Sequence, residues 1–448
     1  MNAPQSTAFE NDMRLALSPR QVLVRNRGKY KSQRSCTDLG NYAIRGCAAS
    51  QWLRSYWRLG PREQGRDFTL ALSRSHKILR GNIMCQNPNV PLIIPEAFEQ
   101  GLVSVIIPTF NRGYILGETI ASVLSQTYRH LEIIVVDDGS TDNTAALVAG
   151  FGHKIRYVRQ PNSGVTAARN LGFTLSRGEF VALLDSDDTW LSWKVDAQIA
   201  ILRAFPEVGM VWSDMESVDR NGRSFDQRYL RKFYHAYQIV DLESVCDKHC
   251  RLADVWPGAP MSIASSPILA GDIFSQMFLG NLVHTSTVML RRERLLKTGL
   301  FDVGLRFSGE DYEFHLRTTS HGPVALLDAS SILYRVGADD QLSEPKWMVH
   351  IARNNLTTVL RWLHKGGKRI RLSRKVVHRR LAESYAWAGE TELYLGNNRQ
   401  AAGHLLRGLS YHPSARAATR LALCALPPQW FQAARQIRRA LRQHGRQS

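Results

Sequence analysis

The chain has 448 residues, of which 44% are hydrophobic, and it carries a formal net charge of +19 at pH 7. This length and hydrophobic content suffice for one main folded domain with additional segments. No run of about 18 apolar residues occurs, so no transmembrane helix is expected. The first residues include Glu10 and Asp12 but no apolar stretch, so no secretory signal is expected.

The charge is spread unevenly, with basic ends and an acidic centre. Residues 1–100 contain 15 Lys and Arg against 7 Asp and Glu, and residues 350–448 contain 19 against 3, so the acidic excess lies between them. This distribution favours a metal-using catalytic centre with flanks suited to an anionic partner, either a membrane surface or a nucleic acid. Ordinary solvated charge is the alternative for any single cluster.

The six cysteines lack the spacing of a disulfide framework, which favours a reducing cytosol. Cys246, His249 and Cys250 are spaced like metal ligands, but no second ligand pair follows, so a structural role is favoured over a zinc site. We therefore expect a cytoplasmic protein, with a peripheral position on the cytoplasmic membrane face if the basic flanks bind lipid.

The first 98 residues are rich in Arg, Ser, Gly and Gln and show no sustained strand or helix period. A basic, partly disordered extension is therefore expected over residues 1–98.

From residue 103 onward, strand-like and helix-like runs alternate. Strands are predicted over 103–107, 131–136, 155–159, 180–184 and 208–212, and helices over about 114–126, 142–151, 164–176 and 191–204. Such alternation predicts an α/β fold with a mostly parallel, Rossmann-like sheet covered by helices on both faces. Residues 213–280 are less regular, and a connection of that length is commonly functional or mobile.

After about residue 346 the pattern is helical and basic. Residues 385–413 resemble one tetratricopeptide-like helix pair, and since such pairs normally need neighbours for stability, the helical extension over 346–426 is expected to dock on the main domain or to cap itself. In the tail, 427–448, an apolar stripe flanked by arginines is typical of an interfacial membrane helix and equally of a helix that packs on its neighbours.

Carboxylates follow two of the central strands. Asp137 and Asp138 end the run 131–136, and Asp185, Asp187 and Asp188 follow the run 180–184. The carboxyl ends of parallel strands meet at one edge of the sheet, where open α/β folds bind ligands. Carboxylates gathered there favour a charged ligand with a hard cation such as Mg²⁺ or Mn²⁺.

An ordered set of motifs resembles the family 2 inverting glycosyltransferases, which have the nucleotide-diphospho-sugar-binding GT-A fold. The set comprises VSVIIPTFNR from Val103, SVLSQT from Ser122, VVDDGSTDNT from Val135, Asn162-Ser163-Gly164, Gly178-Glu179-Phe180, LLDSDD from Leu183, Phe301-Asp302 and Glu310-Asp311. Each motif is weak alone, but the set is specific. The resemblance covers roughly residues 102–345 and implies a glycosyltransferase domain over 99–345.

On the donor side, the resemblance implies a nucleotide-diphosphate sugar. It assigns to this ligand Pro108, Thr109, Phe110, Asn111, Asp137, Asp138, Gly164, Arg169 and Asp185. Asp187 would bind Mg²⁺ or Mn²⁺ directly, with Asp185 nearer the metal's waters or the ribose, and Arg169 would face a phosphate. An isolated Asp-x-Asp pair is more often a turn or helix cap, and Asp188 is expected to cap the following helix.

On the acceptor side, the resemblance implies that Asp311 is the base that removes the acceptor hydroxyl's proton in an inverting transfer. Glu310 would orient it or contact the acceptor, although both residues could be first-turn helix acids without the family context. His284, Thr285 and Ser286 would meet the acceptor, a glycan or glycolipid in cell-surface polysaccharide synthesis. Gly337 stands where the family often has a His, so the resemblance implies no diphosphate contact from this residue.

Two other functions are alternatives to the metal-dependent inverting glycosyltransferase that these features favour. A sugar nucleotidyltransferase shares the architecture but generally carries an early Gly-rich phosphate loop, which IIPTFNRGYILGE lacks. A nucleic-acid-binding protein would explain the positive charge. It would also need a basic face interleaved with aromatic residues, which is not evident, so no nucleic acid is expected as a partner.

Overall fold

The computed structural model describes residues 92–305, 307–337 and 348–426. The basic extension predicted over 1–98 therefore lies almost entirely outside the described residues, and the amphipathic tail predicted over 427–448 lies wholly outside them. None of the helices in the described ranges combines the length and apolar character needed to cross a bilayer.

Eleven strands in the described ranges form one sheet. They are β1 (Glu99–Thr109), β2 (Leu131–Asp137), β3 (Ile155–Arg159), β4 (Gly178–Leu183), β5 (Thr189–Trp190), β6 (Met210–Val218), β7 (Ser224–Asp226), β8 (Lys248–Arg251), β9 (Pro267–Gly271), β10 (Met289–Arg291) and β11 (Val324–Arg335). Their order is β3-β2-β1-β4-β10-β6-β11-β9-β8, with β5 paired to β11 and β7 to β6.

The strands β3, β2, β1 and β4 are parallel neighbours, as are β6 and β11. Strand β10 runs antiparallel to both β4 and β6 and so joins the two parallel groups. The prediction of an α/β fold with a largely parallel central sheet is confirmed. Beyond β4, antiparallel pairing of β10, β9 and β8 completes the sheet around the parallel pair β6 and β11.

Helices flank the sheet and then continue beyond its last strand. They are α1 (Leu116–Leu124), α2 (Thr144–Ala149), α3 (Val165–Leu175), α4 (Lys194–Ala204), α5 (Leu230–Phe233), α6 (Leu242–Val245), α7 (Leu252–Val255), α8 (Phe274–Leu279), α9 (Arg292–Thr298), α10 (Glu310–Thr319), α11 (Met348–Gly366), α12 (Arg374–Tyr394), α13 (Asn398–Tyr411) and α14 (Ala415–Leu423).

Strand β1 occupies the centre of the parallel group, and all its residues from 101 to 109 are buried. A strand covered on both faces has no polar alternation, which is why Val105-Ile106-Ile107 reads as a continuous apolar run. The elements predicted between 103 and 212 all appear, although β1 already begins at Glu99 and β6 extends to Val218. Their long, clear periods made them the most predictable part of the chain.

Two expectations for the middle of the chain were wrong. Asp188 does not cap a helix, because strand β5 intervenes and α4 begins only at Lys194, after Trp193 as the N-cap residue. The connection 213–280 is more regular than its composition indicated, since it contributes β7, β8 and β9 to the sheet. These strands have three to five residues, too few for a recognisable period.

The C-terminal helices pack on the α/β domain, which confirms the expected helical region. The Trp362 indole N–H donates to Glu313 Oε1 at 3.3 Å, and Arg361 donates to Asp302 Oδ2 at 2.6 Å. Further along, Arg380 of α12 donates to the backbone carbonyl of Phe278 at 3.0 Å. The likeness of α12 and α13 to a tetratricopeptide pair stays a prediction.

Gly172 provides a test of how tightly α3 must approach the sheet. A Cβ at Gly172 would lie 2.3 Å from Ile106 Cγ2, whereas a Cβ at Gly117 of α1 would lie 3.6 Å from its nearest neighbour. Gly172→Ala should lower the free energy of unfolding by about 1–3 kcal/mol through overpacking. Gly117→Ala should be neutral or stabilising, because alanine is the better helix former. Urea unfolding measures both, and equal stabilities of the two variants would contradict this packing.

Candidate active site

A cavity of about 1490 Å³ opens at the carboxyl ends of β1, β2 and β4. Small-molecule sites typically have about 300–1,000 Å³, so this cavity has room for more than one ligand. Of the residues predicted for the site, it brings together Pro108, Thr109, Phe110, Asn111, Asp138, Gly164, Arg169, Asp185, Asp187, His284, Thr285, Glu310 and Asp311.

The turn after β1 forms one wall of the cavity. Asn111 has φ of +51°, a left-handed conformation that asparagine tolerates better than most residues. Its backbone N–H donates to Ser140 Oγ at 2.8 Å, and its side-chain oxygen accepts from the Thr141 N–H at 2.7 Å. The turn is thereby fixed to the end of β2, while Phe110 presents a ring that is 44% exposed.

The two adjacent aspartates at the end of β2 have different positions. Asp138 lines the cavity, and its carboxylate accepts from Gln160 Nε2 at 2.6 Å and from the N–H groups of Ser163 and Gly164 at 2.8 Å each. Asp137 is fully buried, accepts from the Ser140 N–H and the Tyr157 hydroxyl, and is not among the cavity-lining residues. The expectation that Asp137 contacts the nucleotide sugar is therefore not supported, because neighbouring strand residues point to opposite faces.

The loop after β4 places three carboxylates together. Asp187 lies 3.2 Å from Arg112 Nη1, and Asp185 lies 2.7 Å from Arg169 Nη2. Asp188 is buried behind them, and burial together with the charges of Asp187 and Asp185 raises its pKa well above the usual range. Asp188 therefore takes up a proton more readily than an ordinary aspartate does.

Arg169 on α3 is 4% exposed and contacts two carboxylates at once. Its Nη2 donates to Asp185, and its Nη1 donates to Glu310 at 2.8 Å. Burial would lower the pKa of this guanidinium, but the two carboxylates raise it above its usual value. Both terminal nitrogens of Arg169 contact carboxylates in this structure, and the predicted contact with a phosphate stays a prediction.

Glu310 and Asp311 begin α10, directly after Gly309, whose φ of +91° suits glycine. Burial, followed by the charge of Glu310, raises the pKa of Asp311 to about 7. The Asn281 side-chain amide donates to Asp311 Oδ2 at 3.1 Å. A carboxylate that titrates near neutral pH is suited to accept a proton from a substrate.

The three residues predicted for the acceptor side separate into two roles. His284 and Thr285 line the cavity, and burial lowers the pKa of His284 to about 4, so its imidazole is neutral at pH 7. Its ring lies against Tyr334, with centroids 4.9 Å apart. Ser286 does not line the cavity. Its hydroxyl accepts from the Asp185 N–H at 3.1 Å, so it supports the carboxylate loop instead.

Several cavity residues were missed by sequence reasoning. Arg112, Tyr234 and Asn281 are single polar residues outside the helices and strands. Only Arg112, which ends the VSVIIPTFNR motif, carried any signal. The outer wall comes from the C-terminal helices, with Ile351, Asn355, Arg380, Glu383, Ala386, Trp387, Glu390, Ser414, Arg416 and Ala417. No motif marked these residues.

The donor set fits a divalent cation only with help from a ligand. Among the described residues, no group of three His, Cys, Asp or Glu side chains gathers as a complete metal site. Asp185 and Asp187 supply two carboxylates at the cavity, and Mg²⁺ is commonly held by one or two carboxylates together with substrate phosphates and water. Burial raises the pKa of the Cys246 thiol to about 12, and the His249 ring contacts the Cys246 carbonyl. The structural role expected for these residues stays a prediction.

Comparison with known proteins identifies relatives of this chain. Residues 104–253 match the model of glycosyl transferase family 2. An uncharacterized glycosyltransferase of Rickettsia typhi is 30% identical over 212 residues, which are 47% of this chain and 57% of that protein. A UDP-Glc:alpha-D-GlcNAc-diphosphoundecaprenol beta-1,3-glucosyltransferase of Escherichia coli is 34% identical over 122 residues, or 27% of this chain and 48% of that protein. The chain thus spans about half the length of these curated relatives.

Among solved structures, residues 1–349 of S. aureus TarS in complex with UDP-GlcNAc are similar, with a TM-score of 0.42 and 18% identity. The match covers 71% of this chain and 89% of the other.

The environment of Asp311 predicts its titration. Carbon-13 NMR of labelled aspartate carboxyls, with Asp311→Asn for assignment, should show Asp311 titrating near pH 7. Asn281→Ala should raise this midpoint, because it removes a donor that favours the charged form. A midpoint near pH 4 in the wild type would contradict the burial and the Glu310 contact described above.

Proposed function

We propose, from the match of residues 104–253 to glycosyl transferase family 2, that the chain moves a sugar from a nucleotide-diphosphate sugar to an acceptor hydroxyl with inversion at the anomeric carbon. Two carboxylate groups with different environments line one cavity, Asp185 with Asp187 on one side and Glu310 with Asp311 on the other. Arg169 connects them through its two ion pairs. The proposal rests on this arrangement of two carboxylate groups around Arg169 in one cavity.

The reaction requires one bond to form and one to break at the same carbon. The acceptor oxygen bonds to the anomeric carbon while the bond between that carbon and the donor phosphate oxygen breaks, and the nucleoside diphosphate leaves. The proton of the acceptor hydroxyl passes to the Asp311 carboxylate. The raised pKa of Asp311, about 7, supports this role, because a general base is most effective when its pKa lies near the working pH.

On the donor side, we infer that Phe110, Asn111, Asp138 and Gly164 hold the nucleotide at the ends of β1 and β2. Asp187 and Asp185 would hold Mg²⁺ or Mn²⁺, which neutralises negative charge on the departing diphosphate when bound. Burial alone would raise the pKa of Asp185, but the Arg169 guanidinium lowers it below its ordinary value. Asp185 therefore remains ionised, as a hard oxygen ligand should.

We propose a saccharide acceptor, in the synthesis of a cell-surface polysaccharide or glycolipid on the cytoplasmic side. The name of the E. coli relative, which describes transfer to a lipid-linked sugar, supports this acceptor class. The basic sequence flanks suit an anionic membrane surface. No described feature favours a sugar nucleotidyltransferase, and the two paired carboxylate groups suit glycosyl transfer better.

A thermal-shift screen tests the donor assignment directly. UDP-glucose, UDP-N-acetylglucosamine, GDP-mannose and dTDP-rhamnose are added with and without Mn²⁺, since a ligand that binds the native state raises its apparent stability. We expect at least one to raise the melting temperature more with Mn²⁺ than without. No shift with any nucleotide sugar or with UDP, GDP or dTDP would refute the proposal.

Asp187→Asn tests the metal assignment. The variant should keep the wild-type fold, because the changed group lies at the cavity surface, and lose most of its Mn²⁺-dependent donor turnover. Glu293→Gln, an exposed carboxylate change on α9, is the matched control and should keep full activity. Wild-type turnover by Asp187→Asn with metal present would mean that another group binds the cation.

Asp311→Asn tests the base assignment. Donor binding should be retained, while the rate of transfer should fall by about 10²–10⁴, the usual effect of losing a general base. In the wild type, the rate should rise with pH through about 7, because only the ionised carboxylate accepts the proton. Equal losses of donor affinity and rate would instead indicate a structural role.

A further inference from the structure

The outer wall of the cavity is built from the C-terminal helices rather than from the α/β domain. Four of its side chains, Arg380, Glu383, Trp387 and Glu390, lie on α12. Their spacing of three, four and three residues places them on one face of the helix. Helix α12 therefore presents a continuous stripe to the cavity, and the stripe ends where Glu390 pairs with Arg416 of α14.

The inner end of this stripe is fixed beside the proposed base. Arg380 Nε and the Tyr312 hydroxyl both donate to the Phe278 carbonyl, at 3.0 and 3.1 Å, and Tyr312 follows Asp311 in α10. Arg380 Nη2 also donates to Asn355 Oδ1 at 3.0 Å. This buried network sets the position of α12 relative to Asp311.

The outer end of the stripe lies well beyond the reacting centre. With a rise of 1.5 Å per residue, Trp387 lies about 10 Å along the helix axis from Arg380, and Glu390 about 15 Å. Arg416 donates to both oxygens of Glu390, at 2.7 and 2.6 Å. This bidentate contact fixes the wall on the far side of Trp387.

The chemistry of the stripe suits an uncharged, hydroxyl-rich ligand. The half-buried Trp387 offers a broad apolar face with a polar N–H at its edge. Glu383 and Glu390 supply acceptors, and Arg416 supplies donors, for neighbouring hydroxyls. A polyanion is disfavoured, because two carboxylates flank the indole and Arg416 already contacts Glu390.

We propose that Trp387, with Glu383 and the Glu390–Arg416 pair, forms a binding subsite for an acceptor saccharide. The subsite holds a sugar unit beyond the one whose hydroxyl attacks, so the acceptor has at least two units and the C-terminal helices select it. This inference rests on the proposed function and names the substrate of the same cavity. The cavity volume, larger than one small ligand requires, is consistent with a donor and an acceptor bound together.

Calorimetry on the full chain with saturating UDP or GDP tests the subsite. The probes are monosaccharides to tetrasaccharides of glucose, N-acetylglucosamine, galactose, mannose and rhamnose. We expect at least one series to bind more tightly from the disaccharide onward. Trp387→Ala should weaken that binding by about tenfold or more, with nucleotide affinity unchanged. Trp387→Phe should keep most of the binding, since it keeps an aromatic face.

Tyr394→Ala is the matched control, because Tyr394 is an aromatic residue of the same helix that is 52% exposed and not among the cavity-lining residues. It should bind saccharides like the wild type. Glu383→Gln, with an unchanged shape, should weaken disaccharide binding even if Trp387→Ala folds poorly. Absence of saccharide binding by the wild type, or wild-type binding by both Trp387→Ala and Glu383→Gln, overturns the subsite. If the wild type bound neither UDP nor GDP, the result would instead count against the proposed function.

Discussion

The site depends on one buried cation, Arg169, and the two carboxylates it joins. Asp185 follows β4, and Glu310 begins α10, 141 residues from Arg169 in sequence. Removing one partner from a buried ion pair leaves an uncompensated charge and costs about 3–5 kcal/mol. The contact therefore fixes α10 against the end of the sheet, and with it the distance between the donor and acceptor sides of the cavity.

The carboxyl groups around Arg169 have pKa values that are shifted in opposite directions. The Arg169 guanidinium keeps the pKa of Asp185 below its usual range, whereas burial and the neighbouring negative charge raise those of Asp188 and Asp311. Carboxyl groups whose pKa values are driven apart can serve different functions at one pH. Under the proposed function, an ionised Asp185 assists metal binding, and Asp311 titrates where a base is needed.

Much of the α/β fold could be predicted from the sequence, because long apolar runs separated by helical periods identify β1 to β4 and α1 to α3 without any knowledge of contacts. The short strands β7, β8 and β9 could not be predicted, since pairing with distant strands defines them. The carboxylates at the strand ends were recognisable. Which of Asp137 and Asp138 faces the cavity was not, because that choice depends on the side to which each residue points. Likewise, the partners of Arg169 depend on long-range packing, and nothing in residues 380–390 indicated that they line the same cavity.

The stereochemistry of donor turnover tests the central claim of inverting transfer most directly, and it requires no knowledge of the acceptor. Water can replace the acceptor, so the enzyme should slowly hydrolyse its donor. The donor is UDP-glucose or another α-linked nucleotide sugar that the thermal-shift screen identifies. Real-time proton NMR of this hydrolysis reports the configuration of the first sugar released. Attack from the face opposite the diphosphate, assisted by Asp311, predicts that the β-anomer appears first and then mutarotates. Initial release of the α-anomer would contradict the account.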